Sequence, residues 1–256
     1  IIVGSEKDDD GGSNKGSVWV MFLDSDGQVK AEQKISDLEG NLTETLGSGD
    51  MFGDAVAGIG DLNGDGVLDV AVSAGRDDDG GANRGAVYIL FLNTDGTIKS
   101  EQKISDTAGN FTGTLSNFDE FGRSIANMSD FDGDGVQDLV VGAYLDDDGG
   151  TDRGAVWILF LNADGTVKSH QKISKTEGNF NPASEFVAHF GVSVANLGDL
   201  NADGITDIAV GDDHDNDGGT DRGAVFILFM NKDGTVHSHQ KISDTAGAFP
   251  SPLANG

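Results

Sequence analysis

Residues 52–69 read FGDAVAGIGDLNGDGVLD, and this stretch returns twice at an interval of 69 residues. The second copy, at 121–138, reads FGRSIANMSDFDGDGVQD, and the third, at 190–207, reads FGVSVANLGDLNADGITD. A Gly-Ala-Val block recurs with the same period at 85–87, 154–156 and 223–225, and residues 16–18 carry it as Gly-Ser-Val. A fixed interval of this length predicts a repeat protein in which each repeat forms one supersecondary unit.

Four short runs in each repeat are apolar or alternate between apolar and polar residues, which predicts four antiparallel strands. In the first complete repeat these runs are 54–59, 68–74, 85–92 and 97–104. The segment 93–96, Asn-Thr-Asp-Gly, supplies the glycine that a tight hairpin between the last two strands needs. Strands in groups of four with fixed motifs predict the blades of a β-propeller rather than a sandwich, and a β-solenoid would need a shorter period.

The predicted fold class is therefore all-β, with four-stranded antiparallel blades in one propeller segment of residues 1–256. We expect a partial blade at 1–47 and blades at about 48–116, 117–185 and 186–253. The partial blade lacks a first strand and an Asp-rich loop. We accordingly expect an incomplete ring that is part of a longer chain or is completed by association of two or more copies.

Composition limits the classes of partner. Acidic residues outnumber basic ones by 44 to 16, which gives a formal net charge of −28 and argues against binding to nucleic acid or anionic membranes. No apolar run approaches the roughly 20 residues that span a bilayer, so membrane insertion is not expected. The chain has no cysteine, which excludes disulfides and thiolate metal sites. Metal cations are the first partners that this charge favours.

The Asp-rich loop between the first two strands is the candidate metal site. Carboxylates stand at its first, fifth and ninth positions, Asp or Asn at the third, and a backbone carbonyl is available at the seventh. The candidate ligands are Asp61, Asn63, Asp65, Val67 and Asp69 in the first loop, Asp130, Asp132, Asp134, Val136 and Asp138 in the second, and Asp199, Asn201, Asp203, Ile205 and Asp207 in the third. Five or more protein oxygens per loop favour Ca²⁺, so three calcium sites are predicted.

Competing interpretations of these loops are weaker. An EF-hand needs a Glu at the twelfth position and flanking helices, whereas Val72, Val141 and Val210 stand there inside predicted strands. Mg²⁺ prefers fewer protein ligands and more retained waters. Asp, Asn and Gly also make solvated turns without any ion. Three copies at one spacing favour the metal site over that turn.

Phe-Gly before the first strand, the Asp-x-Asn/Asp-x-Asp-Gly-x-x-Asp loop and Gly-Ala-Val at the third strand together resemble the FG-GAP repeat. That repeat builds the seven-bladed propeller of integrin α subunits and of many bacterial surface proteins. The resemblance implies one Ca²⁺ per loop on one face of the ring, with partner binding more often on the opposite face. The Gly-Ala-Pro element of the family is a poor match, since residues 142–144 read Gly-Ala-Tyr.

Three further groups of residues are interpreted structurally. The acidic connections between strands 2 and 3, such as Asp77-Asp78-Asp79-Gly80-Gly81, are expected to be solvated turns, with an acidic rim for cations as the alternative. The five histidines lack the spacing of a zinc site and are expected at the surface. The aromatic position filled by Trp19, Tyr88, Trp157 and Phe226 is expected to pack between blades rather than form a ligand cage.

The function that fits best is a non-catalytic, calcium-binding extracellular module for adhesion or cell-surface assembly, from a bacterial surface protein. Expected partners are Ca²⁺, a protein or glycan ligand, and neighbouring blades. A structural repeat of a giant surface protein or filament is the first alternative. A propeller scaffold of an extracellular enzyme is the second, but catalysis needs a singular constellation, and almost every polar group here is repeated.

Overall fold

A computed structural model of the protein describes residues 1–182, 188–248, 250 and 253. Within these residues the chain forms fifteen β-strands and no helix, so none of them lies in a helix that could cross a membrane. The strands are β1 (Ile2–Ser5), β2 (Ser17–Leu23), β3 (Val29–Ile35), β4 (Phe52–Gly60), β5 (Asp69–Ala74), β6 (Ala86–Leu92), β7 (Ile98–Ile104), β8 (Ser124–Ser129), β9 (Asp138–Ala143), β10 (Ala155–Leu161), β11 (Val167–Ile173), β12 (Ser193–Gly198), β13 (Asp207–Asp212), β14 (Ala224–Met230) and β15 (Val236–Ile242).

The strands assemble into four antiparallel sheets in sequence order. One sheet has three strands, β1-β2-β3, and three sheets have four strands each, β4-β5-β6-β7, β8-β9-β10-β11 and β12-β13-β14-β15. This arrangement confirms the predicted all-β fold, an incomplete β-propeller built from four-stranded blades. The strand limits predicted for the first complete repeat agree with β4–β7 to within two residues.

The blade limits at 47–48 and 116–117 stay predictions. The limit at 185–186 lies outside the described residues, as do positions 187, 249, 251 and 252 of the last predicted blade.

The Phe-Gly and Gly-Ala-Val motifs meet at the joint between blades. Gly85 has φ of +85°, and a Cβ atom at this position would lie 2.1 Å from the carbonyl oxygen of Phe121. The Phe121 N–H donates to the carbonyl oxygen of Arg84 at 2.9 Å. Gly16 with Phe52 and Gly154 with Phe190 repeat the same close approach. Glycine is needed there because the next blade enters against the backbone of the previous one.

The apolar core lies between successive sheets. One cluster joins Val87 and Ile89 of the first four-stranded blade to Phe121, Leu139 and Trp157 of the next. The aromatic position in the third strand is buried in these layers, with Tyr88, Trp157 and Phe226 at most 3% exposed. This burial confirms the prediction that the position packs between blades. The first strands β4, β8 and β12 contact one another along the inner side of the array.

Candidate metal centre

Each Asp-rich loop connects the first and second strands of its blade, as in the segment between β4 and β5. The pairing register shifts at the end of each first strand, between Gly58 and Gly60 in the first copy. Gly60, Ser129 and Gly198 stand at the equivalent position and all have positive φ, between +61° and +73°. This bulge turns the chain out of the sheet immediately before the first aspartate of the loop.

The first aspartate folds the loop around its own carboxylate. Asp61 accepts hydrogen bonds from the N–H groups of Asp65 and Gly66 at 2.9 and 2.8 Å. Asp199 accepts the same pair of bonds in the third loop, and Asp130 accepts from Gly133 and Gly135 in the second. The glycine at the sixth position has φ near +90° in all three loops. The turn is therefore formed by the predicted ligand residues themselves.

The ninth-position aspartate ties the loop to the third strand of the blade. Asp138 is 1% exposed and accepts hydrogen bonds from the N–H groups of Phe131 and Leu161 at 2.9 and 3.0 Å. Asp69 and Asp207 make the equivalent pairs of bonds. Burial raises the pKa of Asp138 to about 6 and raises the pKa of Asp69 as well. A bound cation would offset that burial, because it favours the charged carboxylate.

Three carboxylates converge in the second loop. Oxygen atoms of Asp130, Asp132 and Asp138 lie within 4.8 Å of one another, which is close enough for one cation to contact all three. The first and third loops carry an amide at the third position, Asn63 and Asn201, and so offer three carboxylates each against four in the second. A set of hard oxygen donors fits Ca²⁺, which takes six to eight of them.

The seventh-position side chains anchor the loops in the core. Val67, Val136 and Ile205 are each partly buried against a separate apolar cluster. Their side chains therefore cannot act as ligands, and the backbone carbonyls remain the predicted donors at this position.

Lysines that sequence reasoning missed lie at two of the three loops. Lys168 Nζ is 2.6 Å from Asp132 Oδ2 and 2.6 Å from Asp134 Oδ2, and Lys99 Nζ is 2.6 Å from Asp65 Oδ2. The hydrogen bond from Lys168 lowers the pKa of Asp134, and the bond from Lys99 lowers that of Asp65. His237 stands at the equivalent position of the third repeat. The period of 69 residues could have revealed these lysines, but their strand is far from the loop in sequence.

The acidic connections between strands 2 and 3 are not simply solvated turns, so that interpretation was wrong for their first aspartate. Asp77 is 3% exposed, lies 2.9 Å from Lys103 Nζ and accepts a hydrogen bond from the hydroxyl of Tyr88. The ammonium of Lys103 stands 5.6 Å from the centre of the Tyr88 ring. Each blade repeats this buried ion pair, with Lys172 and Asp146 at 2.9 Å and Lys241 and Asp215 at 2.8 Å. These loops are fastened to the fourth strand.

The histidines are not all surface residues either. His170 is half-buried, with its ring 5.0 Å from that of Phe111 and 5.3 Å from that of Trp157, and burial lowers its pKa. His239 packs in the same way against Phe180 and Phe226. His189 and His214 come together near Asp213, although 25 positions separate the two histidines in the sequence. Their spacing gave no signal, because the fold and not a local motif brings them together.

Comparison with known proteins agrees with this architecture. The model of the FG-GAP repeat matches residues 52–90 and 121–159. Each match runs from the Phe-Gly pair through the Asp-rich loop and into the third strand, so the motifs that carry the resemblance are the ones that build the joint and the loop.

Integrin alpha chains are similar to this protein over much of its length. Mouse integrin alpha-2 is 32% identical over 187 residues, which are 72% of this chain and 14% of the relative. Human integrin alpha-11 is 32% identical over 64% of this chain and 12% of the relative. Integrin alpha-PS5 of Drosophila melanogaster is 32% identical over 64% of this chain and 15% of the relative. The matched region is therefore a small part of each of these proteins.

Proposed function

Because the chain contains FG-GAP repeats folded as propeller blades, we propose that it is a calcium-binding, non-catalytic extracellular module for adhesion or cell-surface assembly. The observation that carries the proposal is the convergence of Asp130, Asp132 and Asp138 in a loop that recurs in each complete repeat. Three Ca²⁺ ions are proposed, one for each loop. Millimolar calcium outside cells suits sites of this kind.

The proposed role of the ion is structural. The second loop concentrates four carboxylates within nine residues, and one of them, Asp138, is buried. A dication there reduces their mutual repulsion and holds the turn between β8 and β9. Since the loops lie at one end of the blades, the ion fixes the strand ends without occupying the opposite face of the array.

Calorimetric titration of Ca²⁺ tests the metal sites. Asp134→Asn removes one charge from the second loop and keeps an oxygen that can accept the N–H of Val136. The matched control is Asp164→Asn in the hairpin of the same blade, where the oxygen accepts the N–H of Thr166. We expect three sites in the wild type, with one of them weakened about tenfold or more by Asp134→Asn and none by the control. Absence of binding, or equal titrations for the two variants, would refute the sites.

The proposed partners are a protein or glycan ligand and neighbouring blades, supplied by a longer chain or by a second copy. The sheet β1-β2-β3 supports the second of these, because it has three strands where the other sheets have four. Binding of the labelled protein to protein and glycan arrays, in calcium and in chelator, tests the first. Retention of a specific ligand in calcium and its loss in chelator is expected for an adhesion module. Binding to nothing on either array would favour the purely structural repeat.

The non-catalytic assignment rests on the repetition of the polar groups. The buried ion pairs and the Asp-rich loops recur from blade to blade, as expected for elements that hold a fold together. A bacterial cell surface remains the proposed location, based on the resemblance and the absence of cysteine. Hydrolytic activity that is lost on substitution of a non-repeated cluster would overturn the non-catalytic assignment.

A further inference from the structure

His189, Asp213 and His214 form a compact cluster at the start of the third complete repeat. The two imidazole rings stack with their centres 3.9 Å apart and an interplanar angle of 30°. His189 Nδ1 lies 3.0 Å from Asp213 Oδ1. One ligand atom from each of the three residues lies within 4.8 Å of the other two.

The surrounding backbone holds these side chains in place. The N–H of His189 donates to the carbonyl oxygen of Asp152 in the preceding blade at 2.9 Å. The N–H of the adjacent Ala188 donates to the buried carboxylate of Asp212 at 2.9 Å. On its other side the ring of His189 meets the ring of Tyr144 edge to face at 5.2 Å. His189 is thus positioned by both blades, while the side chain of Asp213 is 54% exposed and leaves the cluster open to solvent.

The cluster is singular within the repeats, unlike the Asp-rich loops. The equivalent positions carry Met51, Gly75 and Arg76 in the first complete repeat and Glu120, Tyr144 and Leu145 in the second. Met51, Glu120 and His189 share the same left-handed backbone conformation, with φ of +60°, +51° and +64°. The fold therefore forms without histidine at this joint, so packing of the blades does not explain the pair.

We propose that His189, Asp213 and His214 bind one divalent transition-metal ion of the Zn²⁺ type. Two imidazoles and one carboxylate make a three-ligand set that is common for zinc and leaves a fourth position for water or for a carboxylate of a partner. Imidazole nitrogen also separates this site from the oxygen-only Asp loops, which favour Ca²⁺. The ion would join the entry of β12 to the segment after β13, at the end of the blade opposite the Asp loops.

Titration with Zn²⁺ in saturating Ca²⁺ tests this site separately from the calcium sites. His189→Met and His214→Leu use residues that the other repeats carry at the same positions, so both variants are expected to fold. His170→Glu is the matched control, because it removes one histidine and introduces the residue found at the equivalent Glu101. We expect one Zn²⁺ per wild-type chain, a loss of affinity of about 100-fold in each single variant and no change in the control.

A second measurement does not depend on any variant. In the imidazole ¹⁵N spectrum of the wild type, two of the five histidines should shift on addition of Zn²⁺ while the other three stay fixed. Co²⁺ in place of Zn²⁺ should give the intense visible absorption of a tetrahedral site. No Zn²⁺ binding to the wild type, equal binding to His189→Met and His170→Glu, or shifts at other histidines would each overturn the proposal. Failure of the calcium titration would leave this result unaffected.

Discussion

The side-chain amide of Asn196 donates a hydrogen bond to the backbone carbonyl of Asn127 at 2.8 Å, across the boundary between two blades. Asn127 occupies the equivalent position one repeat earlier, and its own amide donates to the carbonyl of Gly58 at 3.1 Å. The same asparagines also accept the N–H groups of Ser129 and Gly198 at 2.7 Å, which fixes the bulge before each Asp-rich loop. One residue type thus links adjacent first strands and positions the following loop.

Asn196→Asp separates these two roles, because aspartate keeps the acceptor for Gly198 and removes the donor to Asn127. The lost bond leaves a carbonyl oxygen facing a carboxylate, and we expect the free energy of unfolding to fall by about 1–3 kcal/mol. Chemical denaturation in saturating calcium measures this loss.

Asn216→Asp is the control for the added charge. Asn216 accepts the N–H of Asp221 through its oxygen, and Asp78 and Asp147 already stand at the equivalent positions. This change should leave stability within about 0.5 kcal/mol of the wild type, as is usual for surface substitutions. Equal stabilities for Asn196→Asp and Asn216→Asp would mean that the ladder between blades contributes little.

The sequence predicted the fold well because both of its signals are local. Period-two alternation and turn glycines set the strands of each blade, and the recurrence of Phe52, Phe121 and Phe190 set the number of blades. Contacts between blades were not predicted, because they join residues whose proximity depends on the packing of one sheet against the next. Lys168 beside Asp134 and His189 beside His214 are of this kind.

The buried lysine pairs show a second limit of sequence reasoning. Asp-Asp-Asp-Gly-Gly has the composition of a solvated turn, yet Asp77 is buried because Lys103, 26 residues later, folds back over Tyr88. Composition indicates the turn correctly. It does not reveal that a distant cation neutralises one of its charges.

Lys168 is expected to weaken calcium binding at the second loop. Its ammonium lies 2.6 Å from two oxygens that the ion needs, and it must be displaced or must tolerate a nearby dication. Lys168→Gln should therefore tighten that site by roughly 3- to 10-fold, with a smaller gain at high salt. Calorimetry with Ca²⁺ measures the change.

Lys30→Gln is the matched control, since Lys30 stands at the equivalent position of the partial blade, which has no Asp-rich loop. It lowers the net positive charge equally and should leave all three affinities unchanged. A comparable gain in both variants would assign the effect to overall charge, and weaker binding in Lys168→Gln would contradict the inhibitory role of the lysine.

Asp119 makes the stability of the protein depend on pH. It is 2% exposed and accepts the N–H of Ser116, and burial raises its pKa from the ordinary 3.8 to about 7. The folded state therefore holds this proton more tightly than the unfolded state. The contribution of Asp119 to stability is greatest below about pH 4 and declines as the pH rises through 7.

Asp119→Asn should remove that decline, because the amide keeps an oxygen for Ser116 and carries no charge. We expect the variant to gain stability relative to the wild type as the pH increases from 5 to 8. Asp95→Asn, at an exposed hairpin residue whose pKa is lowered, should show no such gain. Denaturation curves at several pH values, all in saturating calcium, provide the comparison, and parallel curves for Asp119→Asn and the wild type would contradict the assignment.

Removal of calcium should lower the melting temperature, because the ion binds the folded loops and not the extended chain. At a free concentration 100 times the dissociation constant, one site adds about 2.7 kcal/mol, which corresponds to about 5–10 °C in a domain of this size. Asp65→Asn, Asp134→Asn and Asp203→Asn combined remove one carboxylate from each loop while each amide retains the oxygen that the turn uses. This triple variant should melt at nearly the same temperature with and without calcium. The net charge of −28 gives any salt some stabilising effect, so sodium chloride at equal ionic strength is the reference. If calcium raises the melting temperature of the wild type no more than sodium chloride does, or stabilises the triple variant equally, the Asp-rich loops are not the sites.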